Sequence, residues 1–183
     1  MLAKISGFIG AFWGIGGVLI LFSQAAFRLS QRGIEAFSEQ HVLTWYHWLT
    51  LVVCVVFMGY SEGYKAFQLA FCPRVASRAQ YLSKNPHLLH VILAPAFCMG
   101  FFHATKKRII TSICVTAGVI FLILIVSQTP QPWRGLIDIG VVVGLAWGVM
   151  ALIYFSWRAF TCKTFAYPPD LPEAVIKNKS IFE

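Results

Sequence analysis

Five histidines, His41, His47, His87, His90 and His103, are the residues of this chain best suited to chemistry. A neutral imidazole ligates haem and metals and exchanges protons near neutral pH. Spacing narrows the choice, because His41 and His47 are six residues apart and fall on different helix faces, whereas His87 and His90 share one. On one continuous helix His90 and His103 would stand about 20 Å apart at 1.5 Å per residue. A hairpin folded at Pro95 would return them to the same level, and only then do His87, His90 and His103 form a candidate haem, metal or quinone site. No carboxylate or thiolate is placed nearby to orient them, so interfacial histidines explain the same residues.

Two carboxylates come next. Asp138 lies nearest the interior of an apolar stretch, where a charge is costly and therefore marks a functional candidate. Arg134 precedes Asp138 by four residues and Lys65 follows Glu62 by three, so both acids are expected to form helical ion pairs at a membrane boundary. The five cysteines, Cys54, Cys72, Cys98, Cys114 and Cys162, contain no C-x-x-C pair and read as small hydrophobes rather than a disulfide framework or zinc site. A phosphate-cradling glycine loop, H-E-x-x-H and G-x-S-x-G are all missing, so no catalytic residue is assigned and no cofactor is required.

The elements that must hold these groups are built for lipid. Of 183 residues, 58% are hydrophobic and 12% charged, which leaves too little polar surface for a soluble domain of this size. The expected class is an all-α integral membrane protein: a bundle of four or five transmembrane helices with one interfacial amphipathic segment, forming a single domain over residues 1–163. Apolar windows cover residues 5–27, 40–61, 85–105, 109–133 and 139–157, and most match the roughly 20 residues that cross a bilayer. The window 85–105 is the exception, since Pro86, Pro95 and three histidines interrupt it; it reads either as a short kinked span or as a re-entrant piece. After Glu62, Tyr64, Phe67, Phe71, Val75 and Leu82 recur at helical spacing with Lys65, Arg74 and Arg78 taken as the opposite face, divided by Pro73. Arg74 and Arg78 are then expected to meet anionic lipid headgroups, or the stretch is a connector packed on its own protein. Residues 164–183 read as a short polar tail.

Charge orients the chain. The net charge of +8 comes from cations clustered between apolar runs, which argues for topology signals and against a nucleic-acid-binding face. Five crossings divide the 15 cations six to nine; four crossings with a re-entrant third window leave only Arg28, Arg32 and Arg134 on one side. The second division obeys the positive-inside rule better, and both put Lys106, Lys107, Arg108 and the tail in the cytoplasm, at what is expected to be a bacterial inner (plasma) membrane.

Glycines supply the strongest local pattern. Gly140, Gly144 and Gly148 recur every four residues, as do Gly10 and Gly14 in the first window with Gly7 and Gly17 nearby, and bare glycine faces let helices approach closely. They are expected to pack these two spans on each other or on another protein. The leading functional reading is an accessory or scaffolding subunit of a larger membrane complex, with other membrane subunits or itself as partner. The alternatives are a small oligomeric transporter or channel with the Pro95 segment as pore element, and a histidine-based haem, metal or quinone protein.

Overall fold

Long uncharged runs leave a backbone in lipid no choice but to satisfy its own hydrogen bonds, and helices do so. The computed structural model describes residues 2–38, 43–162, 165 and 167–172, with only the backbone of residues 2–4. Among the described residues every element is helical. Helix α1 (Leu2–Glu35), α6 (Lys106–Ser127) and α7 (Trp133–Thr161) are each long and apolar enough to cross a membrane.

The window 40–61 folds differently from a simple span. Helix α2 (Trp45–Met58) has 14 residues, about 21 Å at 1.5 Å per residue, which falls short of about 30 Å of hydrocarbon. The helix does not stop there. It runs on as a π-helix over Gly59–Phe71 and then as α3 (Cys72–Lys84). Pro73 divides the stretch as expected: it stands in the first turn of α3, just after the hydrogen-bond pattern changes, with Cys72 N–H still reaching back five residues to the Phe67 carbonyl.

The chain forms two compact units. The first comprises residues 1–18, 73–118 and 154–183, and the second residues 19–72 and 119–153. In the first unit α3 is the core: Val75, Ala76, Ala79 and Leu82 are fully buried, and so is Arg78. The expected interfacial helix with Arg78 on its polar side is thus corrected. On a helix, a residue three positions from Val75 and four from Leu82 lies within about 60° of both, so Arg78 shares their face.

The window 85–105 is not one helix either. It holds α4 (Leu88–Ile92) and α5 (Ala94–Met99), separated at Leu93, with Pro95 in the first turn of α5 and left-handed Gly100 closing it. Neither piece, at about 8–9 Å, is long enough to cross. The tail expectation is corrected in part as well. Leu171 is buried, and the tail carbonyls of Tyr167, Pro169 and Asp170 accept from Ser77 Oγ, Arg78 and Thr105 N–H.

Candidate functional site

The first unit gathers three of the five histidines. His87 and His90 ring centroids are 5.1 Å apart and those of His90 and His103 4.5 Å apart, while His90 stacks on Phe97 at 4.8 Å. The break between α4 and α5, together with a left-handed backbone at His103 (φ 50°), makes this possible where a straight helix would not. Even so, among the described residues no set of three His, Cys, Asp or Glu side chains converges as metal ligands. Burial, and then His103, His87 and Arg78, hold the His90 imidazole down to about 4. Burial followed by Arg78 and His87 lowers His103 as well. His90 and His103 are therefore neutral imidazoles at neutral pH. In the second unit His47 caps α2 instead, with its Nδ1 accepting the Thr44 N–H at 3.0 Å and its ring packed on Trp133. His41 lies outside the described residues.

Beneath the patch sits Arg78, which the sequence reading sent to lipid headgroups. It is 1% exposed. Nε donates to the Phe97 carbonyl (2.7 Å), one terminal nitrogen to Pro169 (2.9 Å) and the other to Phe102 and His103 (3.0 and 3.1 Å). Its guanidinium also lies 4.2 Å from the Phe97 ring centroid. A planar fork with five donors is well shaped to hold carbonyls on three sides at once. Burial lowers the Arg78 guanidinium to about 10, which leaves it charged, and pushes the neighbouring Cys98 thiol up to about 12, which leaves it inert. Arg78 thus ties α3 to the end of α5, the loop after it and the tail.

Both glycine rows are filled from within the chain, and not by one another. A Cβ at Gly7 would meet the Ser83 carbonyl oxygen at 2.5 Å, at Gly10 Val91 at 3.0 Å and at Gly14 Cys98 Sγ at 2.7 Å, while Gly17 abuts Pro95. On α7 a Cβ at Gly140 would lie 3.1 Å from Cys54, at Gly144 3.2 Å from Glu62 Cβ and at Gly148 2.9 Å from Phe67. The π-helix answers in kind, placing Gly59 and Gly63 against Val143 and Trp147, with Trp147 Nε1 donating to Gln68 at 2.7 Å.

The expected ion pairs are not formed. Arg134 donates to the Ser127 carbonyl at 3.2 Å, and Asp138, 4% exposed, has no hydrogen-bond partner on Oδ2 among the described residues. Lys65 lies 5.1 Å from the Tyr60 ring centroid, and Glu62 lies over the bare backbone of Gly144. In each case another partner is engaged: a carbonyl at the end of α6 for Arg134, and an aromatic face for Lys65. Sequence reasoning missed the role of Arg78, whose only signal was its spacing from Val75 and Leu82. Compared with protein families, with curated proteins and with solved structures, the chain matches none.

Proposed function

We propose that this chain is an accessory or scaffolding subunit of a larger membrane complex, and that its partner packs on α6. One observation carries the reading. Only 6% of the most apolar 18-residue stretch of α6 is buried, against 33% in α1 and 39% in α7. Helices in lipid associate through packing, and a helix with few neighbours among the described residues is the one free to take a partner helix. The glycine rows, being filled internally, are not the partner surface. Gly118, midway along α6, has open space where a side chain would sit and allows close approach.

The topology that goes with this reading has four crossings. α1, α6 and α7 cross, α2 with the π-helix supplies the fourth, and α4 and α5 do not span. That order leaves Arg28, Arg32 and Arg134 on one side and the other twelve cations on the cytoplasmic side of a plasma membrane, with both chain ends there. A cysteine at Leu2, after removal of the native thiols, should then stay unlabelled by an impermeant probe until cells are opened.

A photo-crosslinker at Val119 or Phe121 tests the partner. Capture of a different membrane protein supports the subunit reading. Capture of a second copy alone favours the oligomeric transporter, and capture of lipid alone overturns the subunit reading. The contact of His87, His90 and His103 keeps the haem or quinone reading in view, and an absorption band in the purified protein would favour it.

A further inference from the structure

At the end of the second unit a cavity of about 280 Å³ is lined by Arg32, Glu35, Thr129, Gln131 and Arg134. Every one of these residues is polar, in a chain that is 58% hydrophobic. The last residue of α1, the residues just after α6 and the first turn of α7 all meet there, so it sits where three candidate spans end. Trp133, which precedes Arg134 in the chain, stacks on Tyr46 at 5.9 Å, the kind of aromatic pair that marks headgroup level. We propose that this cavity binds a zwitterion carrying a phosphate and a primary ammonium, the chemistry of an ethanolamine-phosphate lipid headgroup.

Charge balance leads to that class. Two cationic residues, Arg32 and Arg134, and one anionic residue, Glu35, line the cavity. Arg32 and Glu35 are three apart on α1, the spacing of a helical ion pair, yet among the described residues they form none, which leaves both charges for a ligand. Arg134 uses one nitrogen on the Ser127 carbonyl and keeps its other donors. Gln131 is engaged at both ends of its amide, the nitrogen donating to the Arg32 carbonyl at 3.4 Å and the oxygen accepting from Gly135 N–H at 3.1 Å. The buried Asp138 carboxylate, within the field of both arginines, offsets part of their charge. A plain anion would meet Glu35 without compensation. A zwitterion lays its phosphate on the arginines and its ammonium on Glu35, each through charge-assisted hydrogen bonds. At about 280 Å³ the space lies just below the usual range for drug-sized ligands and suits a headgroup.

The test uses the full chain, delipidated in detergent, with phosphatidylethanolamine, phosphatidylglycerol or phosphatidylcholine added back and bound lipid counted by native mass spectrometry. Phosphatidylethanolamine should bind at least about tenfold more tightly than the other two, since one lacks an ammonium and the other has no N–H to donate. Glu35→Gln should abolish that preference, and Arg32→Gln should weaken phosphatidylethanolamine binding by about tenfold. Both residues are exposed on the last turn of α1, and an unchanged elution profile shows that the variants are folded. Competition by soluble phosphoethanolamine at low millimolar concentration supports the shared chemistry and names the free zwitterion as a second source; no competition, with the lipid preference intact, names the lipid alone. Equal binding of phosphatidylglycerol and phosphatidylethanolamine, or a preference that survives Glu35→Gln, overturns the proposal.

Discussion

Arginine is used in two opposite ways in the two units. In the first, Arg78 is buried with all three nitrogens engaged by backbone carbonyls and its flat face on Phe97. In the second, Arg134 has one carbonyl partner, Arg32 lines a cavity, and beside them Asp138 keeps an unmet acceptor. A satisfied buried network fixes a structure, because every alternative leaves polar atoms dry and unpaired. An unsatisfied one invites a ligand or a proton. The difference separates a structural node from a candidate site, although both look alike as isolated arginines near apolar runs.

Breaking the node should have the largest effect. Arg78→Ala leaves the Phe97, Phe102, His103 and Pro169 carbonyls without their donor and should cost about 3 kcal/mol or more, read as a lower unfolding midpoint in detergent. Arg78→Lys keeps the charge but not the fork, so it should recover less than half of the loss. Full rescue by lysine would mean that charge, not the carbonyl contacts, holds the segment.

Packing comes second. Gly140→Leu and Gly144→Leu drive side chains into Cys54 and Glu62 and should each cost about 1–3 kcal/mol of stability within a single chain, with no partner present. Gly118→Ala enters open space and should gain up to about 1 kcal/mol by helix propensity. If the α7 variants melt as the native protein does yet lose a co-purifying partner, the rows serve assembly after all.

Much of this architecture was legible in the sequence, and the failures have physical reasons. The runs that became α1, α6 and α7 were plain because apolar length alone decides them. Pro95 marked the broken segment correctly, since a ring at that point denies a long straight helix. The π-helix left no signal, because its residues are those of any amphipathic helix and only the reach of the hydrogen bonds differs. Arg78 was placed on a headgroup-facing side because it is a cation, when its angle on the helix already set it with Val75 and Leu82. The pairs Arg134–Asp138 and Glu62–Lys65 had the right spacing, but spacing only permits a bond, and a nearby carbonyl or ring can win.

The histidine patch gives a smaller, pH-dependent effect. His90 faces His87, His103, Phe97 and Arg78, and its folded state takes up a proton only near pH 4, against about 6.5 when unfolded. Between those values the unfolded chain binds more protons, so stability should fall as pH drops from about 6.5 to about 4. With screening at a half-buried ring the loss should be about 1 kcal/mol, seen as a sloping unfolding midpoint. His90→Phe keeps the stack on Phe97 and should flatten most of that slope. A slope unchanged in His90→Phe would assign the effect to another group.

The smallest effect is expected at Asp138, and its sign is the informative part. The carboxylate is nearly fully buried, Oδ2 has no hydrogen-bond partner among the described residues, and Arg134 and Arg32 act on it through their fields. Removing a buried, poorly compensated charge is commonly neutral or favourable, whereas removing one partner of a real ion pair is not. Asp138→Asn keeps the shape and should change stability by less than about 1 kcal/mol, with stabilisation the favoured direction. The same substitution removes a negative charge within the field of the arginines and should strengthen binding of phosphatidylglycerol relative to phosphatidylethanolamine, because the arginines are then less neutralised. A destabilisation above about 2 kcal/mol would show instead that Asp138 is a fixed partner of those arginines, and the second unit would then be as satisfied as the first.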